Sequence, residues 1–303
     1  MTVFFQQLVN GLSLGGIYAL IALGYTMVYG IIELINFAHG DVYALGSFFA
    51  LAALGLLGVT GVVHGPAVGL VVIVAVLAAM VLSGLVNVLI ERVAYRPLRN
   101  APRLAPLITA IGVSFIVQNV MQLWHGPSPV PFPDVIPNPS VTVGGVVIAA
   151  KQVLVVVLAL VMMASLQVFI TRTKLGKAMR ATAQDRDAAA LMGININQAI
   201  ALTFLIGGAL AGAAGFVSGI YYGSTWFLNG FAAGLKAFTA AVLGGIGNIA
   251  GAMLGGFLIG LIESFATQFI SDQWSNVVVF SVLVLVLIFR PSGLLGESLP
   301  EKV

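Results

Sequence analysis

Apolar stretches close to the ~20 residues a helix needs to cross a bilayer recur along the chain, at residues 8–29, 42–62, 67–90, 107–124, 151–171, 198–220, 233–247, 248–270 and 276–290. Charged residues gather between these stretches, so the lipid-embedded part is most of the molecule and no separate soluble domain fits between spans. The pattern predicts an all-α polytopic membrane protein forming one domain over residues 1–303, with about eight membrane-embedded helices and a re-entrant or broken-helix element around 233–250. The break is expected at GGIGN, residues 244–248, because unwound backbone at membrane depth survives only where protein or a wet cavity surrounds it. A polar stretch at 33–41, ELINFAHGD, is a comparable interruption in the first half.

Orientation follows from the basic residues. Residues 171–197, TRTKLGKAMRATAQDRDAAALMGININ, hold five of the thirteen: Arg172, Lys174, Lys177, Arg180 and Arg186. A short basic loop between apolar spans stays on the cytosolic side. Arg92, Arg96, Arg99 and Arg103 form a second cytosolic cluster, and Arg290 with Lys302 a third. The loop 125–150 has Pro at 127, 129, 131, 133, 137 and 139 and no basic residue. It is expected outside, as an extended, polyproline-like cap. Counting spans back from Arg92 puts the N-terminus outside. The first 32 residues carry no charge, so the first span lacks the basic start of a cleaved signal peptide and is expected to be retained.

The cytosolic loop at 172–197 carries its own folding signals. Asp185 is placed to cap a helix starting at Arg186, Asp187 lies where the helix dipole favours an anion, and Gly193 ends the run. Ala188, Leu191 and Met192 share one face. An apolar face on a cytosolic loop needs a partner, so Asp185, Arg186, Ala188, Ala189, Leu191, Met192 and Gly193 make a candidate docking helix.

Composition narrows the chemistry. The chain is 60% hydrophobic with mean hydropathy +1.09, above the roughly 45–50% apolar content of a soluble domain. The absence of Cys excludes disulfides and thiol chemistry. The sequence pI of about 9.3 reflects orienting loops rather than a nucleic-acid surface. The 36 glycines suit a closely packed, breakable transporter bundle. Zinc-protease and nucleophile-elbow motifs are missing, and Gly176-Lys177 is followed by Ala178 rather than the Ser/Thr of a phosphate loop.

Polar residues within the apolar stretches have two readings. Glu33, Asn36, His39 and Asp41 are a functional cluster if buried, or simply solvated at a cytosolic turn. No second His lies three or four residues from His39, which disfavours a metal site. Lys236 either snorkels to the outer surface or serves a pathway or subunit interface, and Glu263 lies nearer the outer end of its span. Asn87, Gln118 and Asn119 read as interhelical hydrogen-bonding residues. Asn36, His39, Lys236, Gly244, Gly245, Gly247 and Asn248 are the candidate path.

Five stretches carry a resemblance: LGGIYALIALGYTMVYGIIELINFAHGDVYALGSF from Leu14, IERVAYRPLR from Ile90, LITAIGVSFIVQN from Leu107, GKAMRATAQDRDAAALMGIN from Gly176 and GLKAFTAAVLGGIGNIAGAMLGG from Gly234. They resemble, in order and over nearly the whole chain, the LivH-type permease subunits of bacterial branched-chain amino acid ABC transporters. The resemblance implies a multi-pass inner-membrane protein paired with a second, similar permease subunit, two cytosolic ATPase subunits that use the ATP, and a periplasmic binding protein. It makes residues 185–193 the ATPase-coupling helix. Gln184 and Ala250 depart from the acidic residue and the Pro common at those positions. Relatives of this type also carry urea, short amides or aromatic acids. The low charge of the bundle predicts a weakly selective, largely apolar pore. An ion-coupled secondary transporter relaying through Glu33, His39, Asp41 or Glu263 is the competing class, and it leaves the docking helix without a purpose. A membrane-embedded enzyme would need converging acid, base or metal groups, which the sequence does not offer.

Overall fold

The structure, a computed structural model, describes residues 1–99, 101–102 and 104–296; Arg103 and Lys302 of the basic clusters lie outside the described residues. Among the described residues, eight helices are long and apolar enough to span a membrane. In chain order the helices are α1 (Thr2–Ile32), α2 (His39–Leu56), α3 (Ala67–Ile90), α4 (Leu104–His125), α5 (Ala150–Arg172), α6 (Lys174–Gln184), α7 (Arg186–Leu191), α8 (Ile196–Tyr222), α9 (Asn229–Gly244), α10 (Ile249–Phe269) and α11 (Asp272–Phe289). A π turn at Glu91–Tyr95 and a 3-10 turn at Arg96–Leu98 extend α3.

Side-chain size sorts these helices into an inner and an outer set. Of the most apolar stretch of α1, 89% is buried, against 11% for α11, whose VVVFSVLVLVLIF run offers bulky side chains to surroundings as apolar as itself. The inner helices carry small residues where they meet. A Cβ on Gly11 would lie 2.8 Å from the Leu261 Cα, and one on Gly15 2.6 Å from the Phe257 Cα, so α1 and α10 approach backbone to backbone, as small residues allow between membrane helices.

α1 and α8 each end in the same elbow. Glu33 and Gly223 take the left-handed conformation (φ 56° and 66°), and each returns its N–H to a carbonyl four residues back, at 2.8 and 2.9 Å. Each next helix then starts through a matching bond, His39 N–H to Asn36 O at 3.0 Å and Asn229 N–H to Trp226 O at 3.1 Å. α2 and α9 meet at these starts, with Gly40 packed on Gly230 and Gly234. The two elbows lie at opposite ends of the bundle. The N-terminal end of α1 holds an extracytoplasmic hairpin, Gln6 donating to Val147 O at 3.0 Å, whereas on α8 it is the C-terminal end that meets the outer loop, Phe132 N–H bonding Gly223 O at 2.9 Å.

The break expected at 244–248 is present, since α9 ends at Gly244 and α10 begins at Ile249. Residues 223–228 form a second irregular stretch, at the start of α9, and GGIGN turns the chain beside the C-terminal segment: the Leu295 N–H donates to Gly244 O at 2.9 Å, and Asn248 Nδ2 to Leu295 O at 2.8 Å. α9 is accordingly a short helix of 16 residues with irregular chain at both ends.

The Pro-rich loop is also more ordered than a polyproline cap. β1 (Val130–Pro131) pairs antiparallel with β4 (Ser224–Thr225), and β2 (Ser140–Val143) pairs with β3 (Val146–Ala149). Gly144 and Gly145, at φ 58° and 85°, supply the two-residue turn of the second pair.

Candidate functional site

The cytosolic loop folds as its caps dictate. Thr173 accepts the Gly176 N–H at 2.9 Å to start α6, and Asp185 Oδ1 accepts the N–H groups of Asp187 and Ala188, both at 2.9 Å, to start α7. Gly193 closes α7 at φ 82° and Asn195 caps α8 through the Gln198 N–H at 3.1 Å. One side of α7 is fixed to the bundle: Ala189 is buried, and Arg186 donates to Ile31 O at 3.0 Å at the cytosolic end of α1. Arg186 and Ala189 therefore lie on the bundle side of the helix, away from the face of Ala188, Leu191 and Met192. Ala188 is exposed, and Leu191 and Met192 project freely at 89% and 82% exposure. Between α7 and the bundle lies a cavity of about 420 Å³, lined among others by Glu33, Tyr95, Arg99, Thr182, Arg186 and Phe204.

Beside this cavity, Glu91 is fully enclosed and paired with Arg96 at 3.1 Å and with Arg99. Burial draws the Arg99 pKa down, and the Glu91 carboxylate opposes that shift. From sequence these arginines read as orienting charges alone, and nothing local marks Glu91, whose partners only the π and 3-10 turns bring round to it.

The 33–41 cluster is not a solvated turn. Glu33 is exposed, but Asn36, His39 and Asp41 are buried, because the chain folds back along α1 until His39 packs against Gly24. Gly24 lies eight residues before Ile32, the end of α1, or about 12 Å along the helix at 1.5 Å per residue. Asn36 accepts from the Tyr95 hydroxyl at 3.1 Å and donates to Asn87 Oδ1 at 3.4 Å, while Asn87 donates to Phe204 O at 2.6 Å. Asp41 accepts from Ser114 and from Gln118 Nε2, the latter at 3.0 Å. Asn87 and Gln118 thus bridge helices as expected, whereas Asn119 bonds back to Phe115 O of its own helix at 2.7 Å. Neither His39 ring nitrogen has a partner; its ring stands edge-on to Tyr25, 4.7 Å between centroids.

Lys236 does not snorkel to the surface. Its Nζ lies 2.6 Å from Glu263 Oε1, joining α9 to α10, and the Tyr18 hydroxyl of α1 donates to Glu263 Oε2 at 2.8 Å. Of the glycine-break residues, Gly244 packs on Gly251, Gly245 on Gly296 and Asn248 caps α10, while Gly247 is open.

A family model described as branched-chain amino acid transport system / permease component matches residues 7–287. The chain belongs to that permease family. It is 49% identical to the high-affinity branched-chain amino acid transport system permease protein BraD of Pseudomonas aeruginosa, with 99% of this chain and 98% of the relative covered. It is 44% identical to the LivH permease protein of the same description from Escherichia coli, at 99% and 98% coverage. A probable branched-chain amino acid transport permease protein LivH of Methanocaldococcus jannaschii is 26% identical over 91% of this chain and 88% of its own length. No solved structure matches the chain. The eight apolar helices and the family make it a multi-pass permease of the bacterial inner membrane.

Proposed function

We propose that the chain is one of two similar, non-identical permease subunits of an ABC importer for branched-chain amino acids. A periplasmic binding protein delivers the substrate and two cytosolic ATPase subunits consume the ATP. The chain itself has no nucleotide site or cofactor and acts as a single permease domain over residues 1–303. One observation carries the reading: Leu191 and Met192 are displayed at the end of a capped helix whose opposite side is tied to α1. Two large apolar side chains held out on the cytosolic face gain by entering an apolar seat on another subunit. The printed names of BraD and LivH support the substrate class. In this reading Asn36 and His39 belong to the inner elbow of the path, Lys236 to its interior, and Gly244, Gly245, Gly247 and Asn248 to its cytosolic mouth.

Reconstitution tests the proposal. Proteoliposomes holding this chain, its partner permease and both ATPases are expected to accumulate leucine, isoleucine or valine when given ATP and the cognate binding protein. The chain alone is expected neither to hydrolyse ATP nor to accumulate substrate. Uphill uptake by the chain alone under a proton or sodium gradient would sink the reading in favour of a secondary transporter.

A further inference from the structure

Lys236–Glu263 is, among the described residues, the one ion pair that joins two helices inside the bundle. Charges taken out of water are stabilised by each other only in good geometry with further hydrogen bonds, and an ionisable residue at membrane depth marks a functional path by default. The α9–α10 seam does not need this pair to hold it together. Elsewhere it is built from close contacts of small residues, Gly244 on Gly251 and Gly255 on Ala240. Both charged side chains retain 12% exposure, so the pair is not sealed inside the chain. The Tyr18 ring lies 5.9 Å from the ammonium while its hydroxyl holds the carboxylate.

We propose that Lys236 and Glu263 form the zwitterion subsite of the translocation path, opening their ion pair to take the substrate's carboxylate on Lys236 and its ammonium on Glu263. This deepens the amino acid importer reading and rests on it. The exchange leaves every charge paired before and after. A solute with a single charge strands one protein charge, and an uncharged amide or urea cannot replace a broken ion pair. The path therefore has a chemical preference of its own, beyond the weakly selective apolar pore expected from composition. Tyr18 keeps the carboxylate oriented while the ammonium swings away.

The test measures leucine accumulated per ATP hydrolysed in the reconstituted complex, with saturating loaded binding protein. The double variant Lys236→Met/Glu263→Met is expected to keep ATP hydrolysis stimulated by the binding protein but to move leucine at least about tenfold less efficiently, a change equivalent to about 1.4 kcal/mol. Lys236→Arg keeps both charges and so keeps the fold even if the neutral pair does not assemble. It is expected to lower the same ratio, because a planar guanidinium does not reproduce a point-like ammonium. Damage that is merely structural lowers ATP hydrolysis and uptake together and leaves their ratio unchanged. A wild-type ratio in every variant that assembles overturns the subsite alone, whereas a wild-type complex that takes up no branched-chain amino acid overturns the functional reading and the subsite with it.

Discussion

Glu91 shows at the scale of one residue how charge is carried at the cytosolic edge of this bundle. Its carboxylate is fully enclosed and holds two guanidiniums, Arg96 and Arg99, the second also bound to Asn197 Oδ1 at 2.6 Å. Removing the enclosed carboxylate leaves two partly exposed guanidiniums, Arg96 at 36% and Arg99 at 17%, without their partner, a loss smaller than the about 3–5 kcal/mol of a fully buried pair. Glu91→Ala is therefore expected to lower the melting temperature of the purified permease, and Glu91→Gln less, since an amide oxygen still accepts from an arginine. Equal melting of both variants and the wild type would show the cluster to be dispensable. Contacts of this kind were hard to read from sequence. Caps such as Asp185, Thr173 and Asn195 are more accessible because their partners lie two or three residues away. The partners of Lys236 are 27 residues away in Glu263 and farther still in Tyr18, so no local spacing announces them.

Among the elements, α7 has two sides with separable roles. Leu191→Arg or Met192→Arg places a cation where an apolar seat is expected, a desolvation cost of several kcal/mol, so the ATPases should fail to co-purify while the membrane domain still inserts. Arg186→Ala leaves that outer face intact and removes the bond to Ile31 O at the end of α1. It is expected to keep the ATPases bound and their basal hydrolysis unchanged, while less substrate moves per ATP. Wild-type co-purification and uptake in both outer-face variants would mean that α7 docks elsewhere or not at all. The existence of α7 was legible because a cap, a first-turn acid and a terminal glycine fall within nine residues, 185–193. The elbows were not. Glu33 adopts a left-handed conformation that its residue type does not announce, and its counterpart Gly223 lies outside the apolar runs that drew notice to residues 244–248. The hairpin at 140–149 did carry a signal, since Gly144-Gly145 between β-branched residues is a turn signature, but six prolines upstream dominated the reading of that loop.

At the scale of the whole molecule, the two elbows and the basic loops have to agree on one orientation. If α1 runs inward and α8 outward, the Val147 hairpin and β1–β4 share the outer face, while α7, the Glu91 cluster and the turn at 244–248 share the cytosolic face. The contacts obey that division: Gln6 meets Val147 at one end of α1 and Arg186 meets Ile31 at the other. The two elbows, opposite in direction, bring α2 and α9 together at Gly40 and Gly230. The chain has no Cys, so single cysteines report the orientation directly. Ser128 and Ala190 are both exposed, whereas Thr182 is enclosed and would report poorly. Ser128→Cys is expected to react with a membrane-impermeant maleimide added to right-side-out vesicles, and Ala190→Cys only after permeabilisation. Reversed accessibility would invert the assignment of both faces and leave Leu191 and Met192 on the side where no ATPase can reach them.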